Sequence, residues 1–255
     1  LFEAIGYLDV VQSIAAWRAT LPVWCTPQFT EARKHLAVDG LVHPLVADAV
    51  GNALDVDGTS VLITGSNMSG KSTFIRALGV NAVLAQSFHT ACATRWCGPM
   101  LHVRTSIARS DSVMDGKSYY LAEVESVGEL VHAKATGRQH LFLLDEIFRG
   151  TNTTERVAAG AAVLSYLTRG DDLVVVATHD LEVIDLLGDA YESYHFREHV
   201  EDGALTFDYR IRRGASSTRN AIALLAAMRF PEQLVADATM KADWKTRSGI
   251  RQASI

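Results

Sequence analysis

Val61-Leu62-Ile63-Thr64-Gly65-Ser66-Asn67-Met68-Ser69-Gly70-Lys71-Ser72-Thr73 is a short apolar run that passes into a glycine- and serine-rich turn and ends in Lys-Ser-Thr. Beyond it, Phe74 to Gln86 places Ile75, Leu78, Ala82 and Ala85 on one side of a helix. Strand, glycine-rich turn and helix in that order are the setting in which a phosphate-binding loop works. The glycines let the chain turn tightly, so that backbone N–H groups and a helix N-terminus converge on a phosphate. Lys71 supplies a point charge between β- and γ-phosphates, and the Ser72 hydroxyl suits Mg2+. A Gly/Ser turn that merely precedes a helix is the plain alternative, and the flanking elements argue against it.

Working outward, Leu141 to Leu144 and Leu173 to Thr178 are apolar throughout, the pattern of strands buried on both faces. Ser60 to Thr64, Leu101 to Ile107 and Leu205 to Ile211 are further strand candidates. Helical spacing runs from Ser118 to His132, and Asn152 with Glu155 resembles a capping box for a helix to about Leu167. Asp180 and Gly188 bracket a shorter helix as cap and stop. Leu1 to about Thr20 reads as a helix with Ile5, Leu8, Val11 or Gln12, and Ala15 near one face, ended by Pro22 and followed by a loop. Alternating strands and helices predict an α/β fold with a largely parallel central sheet flanked by helices. Arg219 to Arg229 and Glu232 to about Trp244, parted by Phe230-Pro231, predict a C-terminal helix-turn-helix hairpin.

Two strand ends carry further chemistry. Leu144 is followed by Asp145 and Glu146, acids placed to hold a Mg2+ shell and to polarise an attacking water; strand-end acids are otherwise solvated caps. Thr178 is followed by His179, which is either a cap or a side chain that reaches a γ-phosphate. Open α/β sheets bind ligands along this edge.

Bulk properties set limits. Of the 255 residues 48% are hydrophobic and 21% charged, with a formal net charge of −5. That balance argues against a surface that grips nucleic acid by its phosphates. No apolar run reaches the roughly 18 residues of a membrane helix. The three cysteines, Cys25, Cys92 and Cys97, lack paired short spacings and read as reduced thiols, which gives a cytoplasmic expectation. The chain starts at Leu1 and reads as a piece of a longer polypeptide.

Taken in order, the loop, Ser118-Tyr119-Tyr120-Leu121-Ala122-Glu123, Leu143-Leu144-Asp145-Glu146 and Ala177-Thr178-His179 resemble the MutS family of ABC-type ATPases. Thr64 to Thr73 looks like the family's TGPNMGGKST, and Asp145 to Thr153 looks like its DEIGRGTST. His43-Pro44 matches the dipeptide that opens the ATPase domain, and Gly214-Ala215-Ser216-Ser217 its dimerisation segment. The resemblance implies a P-loop ATPase of residues 41–215, preceded by the end of a helical core segment (1–40) and followed by a dimerisation hairpin (216–255). It implies ATP and Mg2+, with Lys71, Glu146 and His179 catalytic, Ser72 and Asp145 on the metal, and Gly65 to Thr73 around the phosphates. It also implies a homodimer whose ATPase faces meet, with DNA held mainly by parts outside this chain.

Ser118 then contacts the γ-phosphate of the opposite subunit, or simply caps its helix. The base falls near Val50 to Leu54 and Tyr209, which is equally a plain strand aromatic. Ser66, Ser69, Phe148, Asn152 and Asp180 depart from the mismatch-repair pattern and suggest a divergent branch. Two other functions compete. A transporter or structural-maintenance type ATPase normally carries Leu-Ser-Gly-Gly-Gln, which Ser118 to Glu123 does not match. A non-hydrolysing scaffold dimerised by ATP fits poorly with Glu146 and His179 both present.

Overall fold

Pro22 sets the first boundary. A residue before proline is pushed out of the helical region, and in the computed structural model α1 (Phe2–Thr20) stops there, with Leu21 extended at φ −80°, ψ 134°. The structure describes residues 1–66, 68–107, 119–148, 151–201, 204–214, 225, 226, 228 and 230–241. After α1 come β1 (Gln28–Phe29), β2 (His35–Leu41), β3 (Asn52–Asp57), β4 (Ser60–Thr64), α2 (Lys71–Phe88), β5 (Arg95–Gly98) and β6 (His102–Ile107). Then follow α3 (Tyr119–Lys134), β7 (His140–Asp145), α4 (Thr153–Leu167), β8 (Leu173–Ala177), α5 (Glu182–Leu187), β9 (Tyr191–Glu201) and β10 (Ala204–Arg213).

The larger sheet has the order β10-β9-β4-β8-β7-β6. β9, β4, β8, β7 and β6 pair in parallel, and β10 returns antiparallel along β9. Alternate residues of a strand face opposite sides, and here both sides are covered. Leu141, Leu143 and Val175 face a cluster with Ile75 and Leu78 of α2. Phe142, Leu144 and Val176 face a second cluster with Val127 and Leu130 of α3 and Ala161 and Leu164 of α4. α2 lies close on β7 because Gly79 has no side chain: a Cβ there would stand 2.6 Å from Leu143 Cδ1.

The smaller sheet, β1-β5-β2-β3, lies where a loop is expected after α1. Its strands earn their burial by alternation: in β3, Leu54 and Val56 are buried while Asp55 and Asp57 are exposed. Leu36, Val38, Leu54 and Val56 join the cluster under α2, so the two sheets share a core.

Two features differ from what the sequence suggests. The apolar face of α1 is not covered: none of its residues is buried, and Leu8 is 65% exposed. Apolar side chains lie on the rest of this helix too, and it is tied down through its last turn. There Trp17 meets Phe88 edge-on at 6.2 Å and Arg18 donates to His89 O at 2.8 Å. Asp180 does not cap α5, whose N-cap is Leu181 with no side-chain bond, because the Asp180 carboxylate is held by Arg156. By contrast Asn152 does cap α4, accepting from Glu155 N at 2.9 Å.

Residues 232–241 are helical, with Pro231 O accepting from Leu234 N at 2.9 Å. Much of the expected hairpin, including Arg219 to Leu224 and Ala242 to Trp244, lies outside the described residues. So do Asn67, Ser118, Arg149, Gly150 and Ala215 to Ser217. Among the described residues no helix is long and apolar enough to cross a membrane.

Candidate active site

The loop between β4 and α2 is drawn tight from both sides. Gly65 has φ +140°, and a Cβ there would lie 2.9 Å from Phe196 O and 3.0 Å from Ser69 Oγ, so glycine is required. Lys71 opens α2 with its side chain folded back, its ammonium donating to Gly65 O and Ser66 O at 2.7 Å each. It is only 5% exposed, so this charge is held inside the turn of the loop. Gly70 (φ +111°) is the N-cap of α2 and gives no side-chain cap to the first N–H groups. Ser69 Oγ is buried with no hydrogen-bond partner, an orphan of the kind that a bound polar group satisfies. Ser72 is half-buried and Thr73 exposed, while Met68 points outward.

Strand register brings the other residues to this edge. Ile63 of β4 stands opposite Ala177 of β8, and Ala177 opposite Asp145 of β7. Pairing continues one step further: Thr178 N donates to Ile63 O at 3.0 Å and Glu146 N to Ala177 O at 2.9 Å. The P-loop, Asp145, Glu146 and His179 therefore leave three adjacent strands at one level. Asp145 is 5% exposed. Glu146 turns sharply, with φ +61°, a strained conformation for a non-glycine residue. Its Oε1 lies 3.2 Å from His179 Nδ1. The Glu146 carboxylate raises the His179 pKa above the ordinary imidazole range, against partial burial.

A cavity of about 300 Å³ opens beside the start of α2, lined by His43, Val50, Asn52, Thr73, Phe196 and Tyr209 among others. Tyr209 sits at a break in the β9–β10 register between Phe207 and Ile211, with φ +53°. A bulge redirects its side chain, and the ring comes close enough to lie 3.4 Å from where a Cβ on Gly70 would be. Asn52 fastens the bulge, donating to Tyr209 O at 3.0 Å and accepting from Ile211 N at 2.8 Å. His43 accepts from Leu45 N through Nδ1, and burial and nearby Arg76 lower its pKa.

The structure thus groups Gly65, Ser66, Ser69, Gly70, Lys71, Ser72 and Thr73 in one loop, Asp145, Glu146 and His179 at the neighbouring strand ends, and Tyr209 on the cavity. Two residues escaped the sequence reading. Glu198 of β9 accepts a hydrogen bond from Ser66 Oγ. Arg156 of α4 donates twice to Asp180, beside His179.

A family model described as MutS domain V matches residues 61–244. The chain belongs to the MutS family. The DNA mismatch repair protein MutS of Natronomonas pharaonis is 31% identical over 243 residues, covering 91% of this chain and 28% of that protein. That of Thermus aquaticus is 34% identical over 200 residues, 77% of this chain and 24% of that protein. The MutS-family chain described here spans about a quarter of the length of these relatives. The matched region includes the loop, both strand-end groups and Tyr209.

Proposed function

We propose that this domain binds ATP with Mg2+ and hydrolyses it, as the ATP-using part of a DNA mismatch repair protein. The observation that carries the reading is the meeting of the Lys71 loop, the Asp145-Glu146 pair and His179 on one sheet edge, with a cavity opening on the same loop. In this reading the phosphates lie on the N–H groups at the start of α2, and the base enters the cavity against Tyr209. Asp145 and Ser72 are hard oxygen donors that would hold Mg2+. Bound there, the ion neutralises charge on the phosphate oxygens.

Glu146 orients a water molecule and takes its proton as the water oxygen bonds the γ-phosphorus and the bond to the β–γ bridging oxygen breaks, leaving ADP and phosphate. Lys71 balances the charge that develops on the β- and γ-phosphates. His179, hydrogen-bonded to Glu146, holds that carboxylate and meets the γ-phosphate side of the site. Kinship supports a homodimer in which Ser118 of the facing copy completes each site and the C-terminal hairpin joins the copies. Binding that favours the closed dimer, followed by hydrolysis, would then drive DNA-handling parts elsewhere in the protein.

Titration calorimetry with ATP and Mg2+ on the wild type and Lys71→Ala tests the site. Loss of the charge beside the phosphates is expected to weaken binding at least about thirtyfold. Equal affinities would contradict it.

A further inference from the structure

His179 is half-exposed and stands on a loop, yet its function in the proposed site needs its Nδ1 aimed at Glu146. A single-bond rotation would turn the ring away, and such a side chain keeps one rotamer only where its surroundings fix it. Its neighbours in sequence are both fixed. Thr178 is buried, and its Oγ1 accepts from Asp180 N at 3.0 Å. Asp180 is buried as well, and its carboxylate receives Arg156 Nε and a terminal guanidinium nitrogen, each at 2.7 Å. The Arg156 and Asp180 side chains are 15% and 9% exposed. Arg156 in turn is set in the first turn of α4, where its N–H donates to Asn152 O at 2.9 Å. A cation in a helix's first turn is disfavoured by the helix dipole, so the helix itself gives no reason for an arginine at this position.

Two carboxylates flank the imidazole, one at each ring nitrogen. Glu146 Oε1 is 3.2 Å from Nδ1, and Asp180 Oδ1 is 3.8 Å from Nε2. Fork-to-fork pairing occupies both Asp180 oxygens and neutralises them, which leaves Glu146 as the stronger partner. We propose that Arg156 and Asp180 are positioning residues that hold His179 in register with Glu146, Arg156 acting by keeping Asp180 from drawing the ring away. This rests on the ATPase reading above. It adds to that reading a device contributed by α4.

Arg156→Gln leaves Asp180 charged and unpaired, and the expected result is a kcat about tenfold lower, with the Kd of a fluorescent ATP analogue within about twofold of wild type. Adding Asp180→Asn removes the competing charge, so the double variant is expected to recover to within about threefold of wild type. Melting temperatures show which variants are folded, and histidine 15N spectra of the same samples report the His179 ring without turnover. Its signals should shift in Arg156→Gln and return in the double variant. An unshifted ring overturns the clamp whatever the kinetics show. So does a folded Arg156→Gln with normal kcat, or a loss that the double variant does not relieve. A wild type that hydrolyses no ATP overturns instead the reading beneath the proposal, and the ring signals alone then decide whether the clamp exists.

Discussion

Replacing Asn52 with alanine removes the side chain that fastens the Tyr209 bulge. Asn52 makes three bonds in the structure: to Val50 O at 3.1 Å, to Tyr209 O at 3.0 Å and from Ile211 N at 2.8 Å. Ile211 is half-buried, so its N–H is the group that suffers most when its acceptor goes. An unsatisfied donor of this kind costs about 1–3 kcal/mol, whereas a carbonyl, with two lone pairs, tolerates the loss of one partner better. A loss of about 2 kcal/mol in unfolding free energy is therefore expected in urea titration. The second effect is functional. An aromatic ring on a base is worth about 1–3 kcal/mol, and freeing the bulge forfeits part of this, so an ATP analogue should bind about five- to tenfold more weakly. Tyr209→Phe should bind normally and Tyr209→Ala at least as weakly as Asn52→Ala. If Asn52→Ala loses stability while both it and Tyr209→Ala bind as tightly as wild type, the base does not rest on Tyr209 and the cavity has another use.

Other perturbations follow from the same geometry. Gly65→Ala puts a methyl group 2.9 Å from the backbone oxygen of Phe196 at a φ of +140°, so the loop must move; stability should fall by about 1–3 kcal/mol and nucleotide affinity more than tenfold. The His179–Glu146 pair raises the folded-state pKa of the imidazole above its unfolded value of about 6.5. Its stabilisation is thus fully present below that pH and lost as pH rises through the folded-state value. Solvent screening of a half-exposed ring keeps the effect small. The gap in urea midpoint between wild type and His179→Gln should shrink from about pH 6 to pH 9; a gap that widens would show the sign to be wrong.

Much of the larger sheet is legible in the sequence because its central strands are apolar on both faces: Leu141 to Leu144 and Leu173 to Val176 admit few other readings. β3 is the reverse case. Asn52, Asp55 and Asp57 are poor strand formers, and the burial that makes this segment a strand rests on Leu54 and Val56. β9 hides in the same way, with Glu192, Arg197 and Glu198 interrupting Tyr194 and Phe196.

Within the site, the loop and the strand-end groups are local signals, each readable within a few residues. The Arg156–Asp180 pair spans 24 positions and the Asn52–Tyr209 bond 157. Contacts of that separation leave no local periodicity or spacing to read. The apolar residues of α1 mislead for a physical reason: a stripe of Ile5, Leu8 and Val11 says that a face can be buried, not that a partner element covers it.

In the proposed mechanism Glu146 works on a water beside a phosphate chain held by the Lys71 loop. Steady-state phosphate release, measured with ATP binding on the same samples, tests it in the wild type and Glu146→Gln. The wild type is expected to turn over, and the variant to bind ATP normally with release at least about a hundredfold slower. Equal release by the two proteins, or no release by a wild type that binds ATP, would contradict it.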